Sequence, residues 1–245
     1  MQAVSIVRPY RNNIVTLPLK QKEPRTTPVK KQTACVIKDA KTLDAIKARL
    51  TASSKKYGLR NTAIFVLGIN CGLRCGDLLQ IRLQDIWDEG GKSVKRRFSV
   101  LEEKTRKVRT IGLSEQTASF LKEYILTLQD RSGYTPLFPS QKRGKHKDTE
   151  NRVKDNTGCL TRKSMWGILN GVAKELGIEH LATHSMRKTF SYNVYTKYKG
   201  KLVADHYSAL DVLQKVLNHS SSNVTLCYIG VEAEVEDEIY NGMSL

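Results

Sequence analysis

The sequence has no apolar run approaching the roughly 18 to 20 residues that a membrane-spanning helix needs, and no signal peptide is read at its start. Cysteine is sparse: five residues, at positions 35, 71, 75, 159 and 227, form an odd and scattered set. That pattern excludes a disulfide framework and fits a reducing interior. Cys71 and Cys75 have no second Cys/His pair at zinc spacing, so they read as small buried side chains and not as metal ligands. Carboxylates are scarce as well, 24 Asp and Glu against 41 Lys and Arg, which leaves a net charge of +17. They form no cluster of the kind a two-metal nuclease requires. An excess of positive charge this large exceeds what solubility needs and implies a polyanionic partner, nucleic acid before an anionic membrane surface.

At 245 residues the chain is long enough to bury a real core in one or two domains. Basic residues dominate the first sixty positions, whereas the stretch after Tyr228 carries acidic residues and no basic one. Residues 1–39 show no sustained period, and Pro18, Pro24 and Pro28 interrupt any helix there. They read as a basic arm or linker, with a compact domain over 40–245.

Within that domain, KTLDAIKARL has helical spacing, NTAIFVLGINCGL is apolar nearly all round as a buried helix would be, and RCGDLLQIRLQDI predicts a third helix. The alternation in SVKRRFSVLEEKTRKVRTIGL predicts strands over 94–101 and 107–112 joined by a turn near EKTRK. Ser114 is placed to cap a following helix, and Gly177 to end one that runs from Thr161 to Leu176. The polar stretch QKRGKHKDTENRVKDNTG between them reads as a loop. Further helices are expected over 184–198, 209–218, 222–228 and 232–241. The fold class is mainly α with a small antiparallel β-sheet (α+β).

THSMRKTF places His184 and Arg187 three apart, on one face of a helix. A chain this basic meets H-x-x-R by chance roughly 0.3 times, so the motif needs partners. GLRCGDLLQ supplies Arg74, at the boundary between two apolar helices. There a charge is either paired, with Asp77 three residues on, or aimed at an anion. LQKVLNHSSSNVTLCY supplies His219, a Ser-rich turn and Tyr228 nine residues later. Taken singly, the histidine reads as a cap and the tyrosine as a packing residue.

Taken in order, GLRCGDLLQIRLQDI, EEKTRKVRTIGL, THSMRKTF and LQKVLNHSSSNVTLCY resemble the motifs of the phage integrase or tyrosine recombinase family over about residues 40–245. That family shows an Arg in a GLR helix, a Lys in a β-turn, H-x-x-R on a helix, then GHSS with a Tyr shortly after. The resemblance implies a catalytic-domain fold and a site of Arg74, Lys104, His184, Arg187, His219 and Tyr228. The activity it implies is site-specific DNA recombination through a 3′-phosphotyrosyl intermediate, giving integration, excision or inversion without metal or nucleotide cofactor. The chemistry suits those residues: two guanidiniums bind the nonbridging oxygens of a phosphodiester with forked hydrogen bonds that Lys does not reproduce. The Tyr228 phenol, with an ordinary pKa near 10, needs a base, for which His184 is the candidate. His219 would hold the phosphate, and Lys104 would protonate the leaving 5′-oxygen, with Lys107 in the same turn as the alternative.

The implied partners are double-stranded DNA, three further copies of the chain in a tetramer on two DNA sites, and accessory DNA-bending proteins. The expected setting is the cytoplasm, at the nucleoid, of a bacterium, phage or mobile element. Departures from the family pattern are Asn218 in place of the Gly of GHSS and Lys188 where a second His is common. The usual N-terminal DNA-binding domain is also replaced by about 40 residues, so the chain resembles the minimal members. In the tail, 229–245, Val231, Val235, Ile239 and Tyr240 form an apolar stripe for docking in cis or on a neighbouring protomer. Two other functions compete: a non-catalytic DNA-binding accessory protein of this fold, and a type IB topoisomerase.

Overall fold

The largely buried helix Gly58–Cys71 (α2) forms the axis of the fold. The computed structural model describes residues 33–141, 158–203 and 206–231, all within a unit that begins at Thr33. Ala63, Ile64, Phe65 and Leu67 of α2 are completely buried, and each larger side chain contributes about 1.5–3 kcal/mol by leaving water. Around α2 pack α1 (Ala40–Ala52), α5 (Glu115–Leu126) and α7 (Thr183–Tyr198). Asp39 caps α1 by accepting from the Thr42 amide at 2.7 Å. Just before it, the Cys35 amide donates to the His180 carbonyl and the Ile37 amide to Thr189 Oγ1, both at 3.0 Å, which ties this segment to α7.

Two glycines let α7 lie against α2. A side chain at Gly68 would run into Met186, and one at Gly72 into the ring of Phe190. Both pairs are four residues apart, so a glycine stripe on one helix meets a large-residue stripe on the other. Gly72 also ends α2 in the left-handed conformation, at φ 61°.

The third helix expected from RCGDLLQIRLQDI is two short ones, α3 (Cys75–Leu79) and α4 (Leu83–Ile86). The Gln80 amide turns back to Asp77 O, after which the chain pairs sideways. Ile81 O accepts from the Leu137 amide, and the Leu83 amide donates to Thr135 O. Leu78, Leu79, Ile81, Leu83 and Ile86 are all buried, so apolar spacing alone does not reveal the break. Cys71 and Cys75 are buried, and burial pushes their thiols up to about 11 and about 12.

The expected single sheet is two separate two-stranded ladders. β1 (Trp87–Asp88) pairs with β2 (Ser93–Val94), and β3 (Arg97–Leu101) pairs antiparallel with β4 (Val108–Gly112). The chain changes partner at Lys95–Arg96, where the Lys95 amide still donates to Ile86 O while Arg96 O accepts from Leu113. Phe98 opposite Ile111 turns the inner face of the hairpin into the core. At its tip the Glu102 amide donates to Lys107 O and the Arg106 amide to Glu102 O.

The remaining helices follow the expected bounds closely: α5 capped by Ser114, α6 (Arg162–Leu176) between Thr161 and left-handed Gly177, α8 (Ala209–Leu217) and α9 (Ser222–Ile229). Residues 142–157 of the expected loop, residues 1–32 of the expected arm and the helix expected over 232–241 lie outside the described residues. No helix among the described residues is long and apolar enough to cross a membrane.

Candidate active site

Four chain segments converge on one cationic pocket: the α2–α3 turn, the first turns of α7, the α8–α9 turn with α9, and the β3–β4 hairpin. Arg187 is its centre. It is 4% exposed, and its guanidinium reaches across two helix ends: Nη1 donates to Gly72 O at 2.8 Å and Nη2 to Leu217 O at 3.2 Å. Gly72 caps α2 and Leu217 closes α8, so both carbonyls belong to helix C-termini, where a cation is favoured. The glycine contact between α2 and α7 is what lets Arg187 come this close.

Arg74 stands at the N-cap of α3 in an extended conformation. Its partner is Glu102, at 2.9 Å, and not Asp77 as the spacing suggested; Asp77 Oδ1 instead accepts from the Glu103 amide at 2.9 Å. Glu102 is 5% exposed. Arg109 and Arg187 also lie 3.8 and 3.9 Å from its other oxygen. Burial alone would raise the pKa of this carboxyl, but the Thr105 hydroxyl and Arg74 bring it below the ordinary carboxylate value. Arg109 is fixed in turn by the carbonyls of Cys71 and Gly72.

His184, on the first turn of α7, keeps an exposed edge. Its pKa is lowered by partial burial and then by Arg187, Arg74, Lys188 and Arg162. Asn218 ends α8 with φ 55°, the left-handed conformation that the residue tolerates, and turns the chain into His219. His219 Nδ1 bonds Thr225 Oγ1 at 3.1 Å, and burial, Arg187 and Arg74 lower its pKa. The His219 ring meets Tyr228 edge-on, with centroids 5.0 Å apart at 73°. Lys188 Nζ lies 5.5 Å from the centre of the Tyr228 ring. The Tyr228 hydroxyl is buried with no hydrogen-bond partner among the described residues. Burial raises its pKa, and the nearby charges of Arg187 and Arg74 pull it part of the way back, although no well-formed hydrogen bond joins Arg187 to it.

Arg74, His184, Arg187, His219 and Tyr228 are thus brought together. Lys104 is at the edge: it is exposed on the hairpin turn, with no hydrogen bond or ion pair among the described residues. Lys107 on the same turn reaches Asn218 Oδ1 at 3.5 Å. A groove of about 1140 Å³ separates the hairpin from α8, lined in part by Thr105, Lys107, Arg109, Gln214, Asn218 and His219. Among the described residues no group of three or more His, Cys, Asp or Glu is placed to hold a metal ion.

Residues 37–234, most of the chain and all six expected site residues, match the model of the phage integrase family. The chain belongs to the phage integrase family. Among curated relatives of this integrase-family chain, the probable integrase/recombinase YoeC of Bacillus subtilis is 29% identical over 181 residues, covering 74% of this chain and 83% of YoeC. The tyrosine recombinase XerD of Listeria innocua is 26% identical over 192 residues, covering 77% of this chain but 57% of XerD. The chain therefore spans most of YoeC and little more than half of XerD. Among solved structures, the XerH site-specific recombinase bound to a palindromic difH substrate superimposes with a TM-score of 0.57 at 19% identity, over 85% of this chain and 52% of XerH. The XerA recombinase gives 0.56 at 19% identity, over 86% of this chain and 66% of XerA. At that identity the two structures establish that the integrase-family chain shares their fold.

Glu102 and Arg109 were not among the residues expected from sequence. Both lie in a charged stretch that looks solvated, yet period-two alternation places them inward. Phe98 and Val100 share one face of β3, a period that Glu102 continues one residue past the strand, and Arg109 and Ile111 share the matching face of β4. That alternation was the signal available for them.

Proposed function

We propose that this protein is a site-specific DNA recombinase that cuts and rejoins strands through Tyr228. The observation that carries the reading is the position of the Tyr228 hydroxyl, without a hydrogen-bond partner among the described residues and beside two guanidiniums on a strongly basic chain. Arg74 and Arg187 bind the nonbridging oxygens of the phosphodiester and stabilise the charge that develops there. As the Tyr228 Oη–phosphorus bond forms, the bond to the 5′-oxygen breaks. His184 takes the phenolic proton, and Lys104, or Lys107 beside it, gives a proton to the leaving oxygen. His219, oriented by Thr225, holds the phosphate. The 3′-phosphotyrosyl link keeps the energy of the broken bond, so a 5′-hydroxyl from another strand reseals it.

Burial raises the pKa of the Tyr228 hydroxyl above its ordinary value, so the nucleophile depends on a base, the role given to His184, to lose its proton. The partner is double-stranded DNA, with the working complex a tetramer on two sites at the bacterial nucleoid. Residues 1–39 act as a basic arm on the duplex. Residues 229–245 dock on a domain of this kind, their own or a neighbour's.

A library of nicked, random-core duplexes, in which the cleaved end diffuses away, tests the reading. Wild type should yield a covalent protein–DNA adduct on denaturing gels, Tyr228→Phe none, and a chelator should leave the yield unchanged. Failure of wild type to form the adduct, or its persistence in Tyr228→Phe, overturns the proposal. Relaxation of supercoiled plasmid that lacks any captured sequence favours a topoisomerase instead.

A further inference from the structure

A buried carboxylate in a pocket meant for a polyanion is out of place, because it adds negative charge where negative charge must bind. Glu102 is such a group. Its Oε2 accepts from Arg74 Nη1 and from the Thr105 hydroxyl, each at 2.9 Å. Its Oε1 is buried without a hydrogen bond among the described residues, although Nη1 of Arg109 and of Arg187 stand 3.8 and 3.9 Å away. It is thus one carboxylate among three guanidiniums, with one oxygen fully engaged and the other held only by charge.

The position of Glu102 in the chain matters as much as its charge. It is the first residue of the hairpin turn, closing the turn through its own amide to Lys107 O and its carbonyl to the Arg106 amide. Lys104 and Lys107 are therefore on a turn whose carboxylate end is fastened to Arg74, and Arg74 is on the opposite wall of the pocket. Arg187 needs no such help, since two backbone carbonyls hold it. The Arg74 side chain makes no hydrogen bond other than that to Glu102 among the described residues.

We propose that Glu102 is a positioning residue, a built-in counter-anion. In the DNA-free chain it stands in for the phosphodiester charge, holds Arg74 and the lysine-bearing turn in register with Arg187, and competes with an entering phosphate for the guanidiniums. This rests on the functional reading above. Two opposed consequences follow from removing the charge. The three guanidiniums lose their neutralising partner, so anions bind more tightly. Arg74 and the turn lose their tether, so the chemical step slows. A residue that merely supported the fold would weaken both together.

The test compares wild type, Glu102→Gln and Glu102→Asp in two assays. The first is the affinity for inorganic phosphate at fixed ionic strength, read from thermal shift. The second is the single-turnover rate of adduct formation on a captured nicked duplex at saturating DNA. Glu102→Gln should bind phosphate about 10-fold more tightly while forming adduct about 10- to 100-fold more slowly. Glu102→Asp, which keeps the charge on a shorter arm, should shift both in the same directions but less. If the glutamine variant is too unstable to titrate, the aspartate variant carries the same sign test. Phosphate affinity unchanged or reduced in the substituted chains overturns the proposal, as does wild-type cleavage by Glu102→Gln. Absence of an adduct from wild type counts against the recombinase reading alone, because the phosphate titration still decides the role of Glu102.

Discussion

Arg187 and Lys104 carry the same charge at opposite extremes of burial. Arg187 is 4% exposed and bridges the ends of two helices. Lys104 is exposed on a turn, with no partner among the described residues. The contrast matches what each would do in strand cleavage. A phosphate clamp gains from being set before the substrate arrives, because its stabilisation then costs no reorganisation at the moment of reaction. A proton donor has to reach a leaving atom whose position depends on the bound DNA, and a flexible side chain on a turn suits that.

The comparison breaks most completely at Arg187. Arg187→Ala strands the carbonyl of Leu217, leaves Gly72 O to Arg109 alone and removes one of the cations around Glu102, so a loss of about 3–5 kcal/mol in unfolding free energy is expected. The adduct should also be lost. Arg187→Lys should recover part of the stability but little cleavage, since an ammonium does not reproduce the planar fork. Urea unfolding and the adduct gel check both.

At the other pole, replacing the lysine that acts as acid should cost about 100-fold or more in cleavage rate, with stability changed by no more than about 0.5 kcal/mol. Lys104→Ala and Lys107→Ala are compared on an ordinary duplex and on one with sulfur at the bridging 5′ position. A thiolate leaves without protonation, so sulfur should restore the rate only in the variant that lacks the acid. Rescue of neither variant would remove proton donation from the hairpin.

A smaller effect separates the packing of the clamp from its charge. Gly72→Ala places a side chain against the Phe190 ring at a left-handed position and should cost about 1–3 kcal/mol. The loss in melting temperature should come with slower cleavage, because α7 carries both Phe190 and Arg187. Asn218→Gly, which suits the same backbone conformation, should leave the melting temperature nearly unchanged.

The smallest effect is one of pH. The pKa values of His184 and His219 lie below the ordinary histidine value in the folded chain, so the unfolded chain takes up more protons as pH falls below about 6.5. Stability should be full above that pH and decline as pH drops through it toward the folded values. Urea midpoints at pH 7.5 and 5.5 measure the decline, and His184→Gln should reduce it. A midpoint difference identical in the variant would show that His184 contributes nothing to it.

Much of the pocket could be read from residue order alone. Arg74, His184, Arg187, His219 and Tyr228 stand in three motifs that the fold brings together, and Ser114, Thr161 and Gly177 bound helices where capping chemistry predicts. What escaped depends on partners distant in sequence. The break between α3 and α4 comes from sideways bonds to Thr135 and Leu137, which no local periodicity encodes. Spacing offered Asp77 as one of two partners for Arg74, the other being an anion, whereas its partner in the fold is 28 residues away on a hairpin. Glu102 looked like turn composition because a buried carboxylate is legible only once the cations around it are known.

The unequal fastening of Arg187 and Tyr228 has a consequence for how such a chain decays. The Tyr228 hydroxyl is buried without a hydrogen-bond partner among the described residues, so losing that one atom costs the fold little and removes an unpaired polar group. Arg187 clips three helices together. A copy released from selection for cleavage would therefore shed the tyrosine early and keep the arginine late, and a descendant retaining Arg187 without Tyr228 would be a relic still able to fold.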